Sequence, residues 1–248
     1  MIMMVLSKKK LKGIMTTVII LALAIVGIVF FMTSASKPAL NFFGNDEMPY
    51  YTGNKANSEH VAIICNVDLG WGNEYVDSIL NTLEKEKIKI TFNVTGKWAE
   101  KNPEMLLKIK QAGHEIGNHG HKHLDYANLD YNGNYDQIKT SKGIIEGIIK
   151  EETKFFQPPS GSYGKDTVKA AVDLGYIPIM WDIDTIDWKY REQPEVIVER
   201  IKSKEMKDGS IILMHPTHAT TECIDDIIGI IKDRGYNPGK LSDVFNIE

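Results

Sequence analysis

Along most of the chain, apolar and polar positions follow two alternating periods. From residue 61 onward, short runs rich in β-branched and aromatic residues are separated by longer stretches whose apolar positions recur three and four apart. The short runs 61–67, 90–94, 115–117, 155–157, 177–181 and 211–214 predict strands. The stretches 74–87, 103–112, 135–150, 165–174, 194–202 and 221–234 predict amphipathic helices. Asn102 before Pro103 predicts an N-cap with proline at the first helical position, and Gly113 predicts the stop. Strand–helix alternation throughout predicts a parallel sheet with right-handed crossovers, either open and doubly wound or closed as a barrel. In both, chemistry gathers beyond the C-terminal ends of the strands.

The first segment breaks this pattern. Lys8, Lys9, Lys10 and Lys12 precede an uncharged apolar run over 14–32, close to the roughly 20 residues that cross a bilayer as a helix. Basic residues before the run predict a cytoplasmic N-terminus and an extracytoplasmic domain. Thr33-Ser34-Ala35 resembles a signal-peptidase site, but the run exceeds the ~7–15 residues of a signal peptide, so an uncleaved anchor is expected. Residues 37–59 carry Gly, Asn and Pro without apolar periodicity and predict a stalk, with Tyr50 and Tyr51 among the aromatics expected to dock. The division is therefore 1–36 anchor, 37–59 stalk and 60–248 globular domain.

Composition narrows the possible partners. With the four anchor lysines set aside, 25 basic against 33 acidic residues leave a formal charge of −8, which argues against nucleic acid. Cys65 and Cys223 belong to no CxxC and read as apolar filler.

Unusual residues cluster at the predicted strand ends. Asp68 follows the first strand, His119, His121 and His123 the third, the run from Pro158 to Tyr163 the fourth, Asp184 to Trp188 the fifth, and His215 the sixth. Three histidines at i, i+2 and i+4 are a candidate metal site, since imidazoles on one side of a turn reach a common ion at about 2.0–2.1 Å. Asp68 closes an apolar strand, where a carboxylate is costly to desolvate unless it is paired. It can equally close the turn before Gly70 and Gly72.

The segments IICNVDLGWGNE, ITFNV, GHEIGNHGHKH, FFQPPSGSYG, WDIDTIDW and ILMH together resemble the NodB-homology polysaccharide deacetylases, most closely their sporulation-associated branch. That resemblance implies a distorted (β/α) barrel that removes N-acetyl groups from a peptidoglycan-like cell-wall glycan. It implies a divalent metal, zinc, on His119 and His123, with Asp68 as base, His215 as acid, and Asp187 or Asp184 orienting His215. Trp71, Pro159, Tyr163 and Trp188 would wall the sugar site.

Two positions depart from the family pattern. Leu69 stands where a second aspartate normally completes the metal site, leaving His121, Asp125, a shifted Asp68 or water as the third ligand. Gln157 stands where an arginine normally pairs with the catalytic carboxylate. These changes also fit a catalytically silent deacetylase fold that binds cell-surface glycan. A metal barrel built on a His119–His121 pair would need that pair at the first strand end, where Asp68 stands.

Overall fold

The computed structural model describes residues 48–70 and 72–247. Strand and helix alternate along them: β1 (His60–Val67), α1 (Val76–Lys85), β2 (Thr91–Val94), α2 (Gly96–Lys101), α3 (Pro103–Gln111), β3 (Glu115–Asn118), α4 (Tyr131–Ile149), β4 (Phe155–Phe156), α5 (Lys165–Asp173), β5 (Ile177–Pro178), β6 (Ile183–Asp184), α6 (Pro194–Ser203), β7 (Ile211–Met214), α7 (His218–Asp233), β8 (Asn237–Gly239) and α8 (Leu241–Val244). Every strand pair is parallel, and the order is β5-β4-β3-β2-β1-β7-β6. Ala62 pairs with both Ile211 and Gly239, so β8 lies on the β2 side of β1 and takes only its first residues. β5 and β6 remain as edges, and the sheet is an incomplete (β/α) barrel.

Period-two alternation divides each strand between two environments. Val61, Ile63, Cys65 and Val67 of β1 join Phe92, Val94, Ile212 and Met214 in one core with α1 and α7, through Ile79, Leu83, Ile224 and Ile227. The alternate positions turn the other way and are markedly more polar. Asn66, Thr91, Asn93 and Glu115 are among them, and they bond to one another. α8 stoppers the base of this interior, where the Leu241 N–H donates to Thr91 Oγ1 at 2.9 Å and the Ser242 N–H to Glu115 Oε2 at 3.2 Å.

Several element boundaries differ from the sequence expectation, each for a local reason. Asn102 does not cap α3 with its side chain. Its Nδ2 donates instead to the Trp98 carbonyl at 3.0 Å, because the residue also ends α2, a helix the pattern did not predict. Pro103 does open α3, and Gly113 follows it at φ 85°. α4 begins four residues before the predicted start, where the Asp130 carboxylate accepts the Gly133 N–H at 2.8 Å and offsets the poor propensity of Asn132 and Gly133. α7 begins at His218, capped by the Thr217 hydroxyl, so His218 belongs to a helix and not to a loop.

The largest difference lies at 177–188. The fifth strand stops at Pro178, and the chain crosses to the opposite edge to form β6 beside β7. Asp184 to Trp188 therefore follow a separate strand of two residues, too short to leave a periodic signature. Part of the expected stalk is docked: Tyr50 pairs with Ile179, and the Gly53 and Lys55 N–H groups donate to Gly209 and Val244 carbonyls at 2.7 and 3.0 Å. The apolar run 14–32 lies outside the described residues, among which no helix is long and apolar enough to cross a membrane.

At the barrel base, buried His114 accepts the Ile90 N–H on Nδ1 at 3.2 Å, which requires a neutral ring. Burial, with Lys89 assisting, lowers its pKa to about 4. The unfolded chain takes up this proton near 6.5 and the native chain does not, so His114 makes stability fall as pH drops from about 6.5 towards 4. Denaturant unfolding of the full chain at pH 7 and pH 5 measures this. His114→Gln keeps an acceptor without titrating and should lose less stability than wild type between the two; equal losses would contradict the assignment.

Candidate active site

Strand register builds the site. The ladder Val67–Val94–Asn118–Phe156 runs straight across β1 to β4, so the next residues, Asp68, Thr95, His119 and Gln157, stand level at one rim. Below them, Asn93 Nδ2 donates to Asn66 Oδ1 at 3.1 Å and to Gln157 Oε1 at 3.4 Å, forming a buried amide floor. Gly117 makes room for it, since a Cβ there would meet Asn93 Oδ1 at 2.0 Å.

His119 is locked by its surroundings. Its Nδ1 lies 2.8 Å from the Gln157 carbonyl oxygen, which can only accept, so Nδ1 carries the proton and Nε2 the lone pair. Burial first, then His123 and His215, lower its pKa to about 3, and the ring is neutral at ordinary pH. The His123 ring stands 5.4 Å from it, centroid to centroid, at 68°. His123 Nε2 lies 3.4 Å from Asp68 Oδ2, while Asp68 Oδ1 accepts the Gly70 N–H at 2.5 Å. Asp68 thus closes the turn and faces the histidine pair at once.

The other half of the rim is held by Asp187. Fully buried, this carboxylate accepts three hydrogen bonds: from the His215 N–H at 2.5 Å, from His215 Nδ1–H at 2.8 Å and from the Thr220 hydroxyl at 2.7 Å. Thr217 accepts the Thr220 N–H at 3.1 Å and ties the same carboxylate to the start of α7. Sequence reasoning missed Thr220, whose only signal is a threonine five residues after a candidate histidine. Of the two candidate partners for His215, Asp187 holds it. Asp184 instead accepts the Ile186 N–H at 2.7 Å. Between them Ile186 takes φ 56°, a conformation that for a β-branched residue costs on the order of 1–3 kcal/mol and bends the chain to aim Asp187 at His215. The charge of Asp187, after burial itself, also raises the pKa of both core thiols, Cys65 and Cys223, and these are free and buried.

The remaining candidates are dispersed. His121 is turned away from His119 and His123; its Nδ1 lies 2.7 Å from where a Cβ on Gly96 would stand, beside Ser141. Asp125 is engaged by Asn128 Nδ2 at 2.7 Å and by the Ser162 hydroxyl. Trp188 is half exposed on the β6 side, while Tyr163, hydrogen-bonded to the Tyr51 hydroxyl at 3.0 Å, stands on the β4 side next to buried Pro159. Trp71 lies outside the described residues.

This donor set does not fit a zinc ion held by three protein ligands. His119 presents a neutral lone pair, but Leu69, 49% exposed, offers no donor atom. Among the described residues, no three His, Cys, Asp or Glu side chains converge as metal ligands do.

The incomplete parallel barrel, with histidines and carboxylates on its C-terminal rim, is similar to solved CE4 family structures. The chain belongs to the polysaccharide deacetylase family, whose model matches residues 55–179. It is 37% identical over 213 residues to YlxY of Bacillus subtilis strain 168, covering 86% of this chain and 65% of that protein, so it spans just under two thirds of that relative's length. It is 27% identical to the peptidoglycan-N-acetylmuramic acid deacetylase PdaA of the same strain, covering 79% of this chain and 74% of that one. Among solved structures it is similar to BA3943, a CE4 family pseudoenzyme from Bacillus anthracis, with 36% identity, a TM-score of 0.75, and coverage of 81% and 70%.

The missing ligand is testable by addition. Leu69→Asp restores an oxygen donor beside Asp68, and should tighten zinc binding roughly tenfold or more in a calorimetric titration and give a zinc-dependent rise in melting temperature. Unchanged affinity and no such rise would mean that position 69, His119 and His123 do not share an ion.

Proposed function

We propose that this chain is an N-deacetylase of an N-acetylated, peptidoglycan-like cell-wall glycan. The observation that carries this reading is the buried Asp187 carboxylate bonded to His215. Three hydrogen bonds spent on one buried ion stabilise a particular imidazole orientation, which packing alone does not require. In this reading Asp68 accepts the proton of the water that attacks the acetamide carbonyl, and His215 delivers a proton to the departing amine, giving acetate and a free amino sugar. Asp187, with Thr220 behind it, positions His215 and balances its charge when protonated. His119, a neutral imidazole, and His123 wall the same pocket. They would supply two of the nitrogens that a divalent ion needs, and no step here passes through such an ion. Tyr163 and Trp188 are flat surfaces on opposite sides of the rim, suited to sugar rings.

A second reading, a glycan-binding module without turnover, is favoured by exposed Leu69 and uncharged Gln157. The similarity to a pseudoenzyme supports it. One experiment separates the two: acetate release from N-acetylated oligosaccharides by the full chain, with and without added divalent ions. Under the first reading wild type releases acetate, and Asp68→Asn and His215→Gln each lower turnover by about 10²–10⁴, Asp68→Asn with unchanged melting temperature and His215→Gln with a lower one, because it removes a donor from buried Asp187. Binding of the oligosaccharide with no acetate released under any condition would overturn the first reading and leave the second.

The site works, in this proposal, outside the cytoplasm, anchored by residues 14–32. The four lysines before that run support the orientation. Protease added to wall-stripped cells should remove the domain; a fully protected domain would overturn this topology.

A further inference from the structure

A cavity of about 430 Å³ opens immediately beside Asp68 and His215. Among the described residues, Leu69, Gly70 and Gly72 to Tyr75 line one side, and Pro216 to His218 line the other. Its inner edge therefore begins one residue beyond the two groups assigned to proton transfer. Its size falls in the ordinary range for small-ligand sites, about 300–1,000 Å³.

Its lining is the informative feature. Glu74 and Glu192 contribute carboxylates, Arg191 a guanidinium and His218 an imidazole, while the Tyr75 ring supplies a flat face, edge-on to His218 at 6.0 Å. Arg191 is held in place from two directions: its carbonyl accepts the Ala219 N–H at 2.7 Å, and its Nε donates to the Trp188 carbonyl at 3.2 Å. Glu192 Oε2 sits 3.3 Å from His218 Nδ1. The hydroxyls of a neutral pyranose would hydrogen-bond to these groups without offsetting either sign of charge. A ligand that carries both an ammonium and a carboxylate compensates both signs within one cavity.

We infer that this cavity is a subsite for a short peptide carried by the glycan, recognising the peptide's ammonium and carboxylate groups beside the reacting sugar. The inference rests on the proposed action on a peptidoglycan-like substrate and adds to it a selection for strands that still bear peptide. Glu74 and Glu192 face the ammonium, Arg191 faces the carboxylate, and Tyr75 packs against the peptide's apolar stem.

Titration calorimetry on the full chain tests it with three probes: an oligomer of N-acetylglucosamine alone, a peptide-free oligomer alternating N-acetylglucosamine with N-acetylmuramic acid, and that alternating oligomer bearing a peptide with a free diamino-acid ammonium. The peptide-bearing oligomer should bind roughly tenfold tighter than both others, and added salt should erode the preference. Glu192→Gln, at a largely exposed position outside the core, should reduce the preference below about threefold, and Arg191→Gln should do the same, with melting temperature as the check on its loop. Equal affinity for peptide-bearing and peptide-free oligomers overturns the inference. So does a preference for the alternating oligomer that the peptide does not increase, since this would trace recognition to the lactyl carboxylate, and so does a preference that survives both substitutions. Failure to bind any of the three oligomers overturns the glycan reading itself.

Discussion

Asp187 is a carboxylate with no exposed surface, and the arrangement of the rim depends on satisfying it. A buried, ionised carboxylate is costly by several kcal/mol unless donors surround it, and its donors come from the residue that follows β7 and from α7. The residues that satisfy it cannot then move independently. β6 must pair with β7 to bring Asp187 alongside His215, Ile186 must take its left-handed turn, and α7 must begin early enough for Thr220 to face inward. A single charge thus joins the edge strand, the sheet interior and a helix start. The strain at Ile186 is tolerated because relieving it would leave that charge without partners.

The opposite half of the site relies on register instead of charge. Four parallel strands in step place Asp68, His119 and Gln157 level, and the Gln157 carbonyl then selects the tautomer of His119. The orientation of His119 does not require a particular side chain at position 157, because the lock on it comes from the backbone. That explains how an arginine position can hold glutamine while the imidazole keeps its orientation. The glutamine side chain joins the amide floor through Asn93 and becomes part of the interior packing.

Much of this was legible in the sequence, because strand ends and apolar periods are local properties. All six predicted helices and the long strands appear within four residues of the expected bounds, and Asp68, His119, His123 and His215 all arrive at one rim. What was not legible depends on pairing at a distance. β6 spans two residues and exists only because β7 offers it a free edge. Asn102 looked like a cap because the pattern contained no helix before it, yet α2 claims its side chain. The HxHxH run gave no indication that His121 turns towards Gly96, since that depends on Gly96 lacking a side chain at a point of close approach. The choice between Asp184 and Asp187 turned on one residue's φ, which sequence period cannot reveal.

The two departures from the family pattern bear on each other through charge. In the pattern that the chain resembles, an aspartate beside the base adds a negative charge and an arginine across the site supplies a positive one. Here Leu69 and Gln157 remove both, so the formal charge around Asp68 is conserved. Removing the arginine alone would leave two adjacent carboxylates to repel one another. The pair of changes avoids that repulsion, and Asp68 is left with a backbone N–H and a histidine as its neighbours. Coupled loss of this kind keeps the fold intact while altering what the site can hold, and it makes restoration a matter of charge balance. An added aspartate at position 69 introduces a carboxylate that the present rim does not neutralise, so a bound cation or a returned arginine must accompany it for the pocket to regain the electrostatics of its relatives.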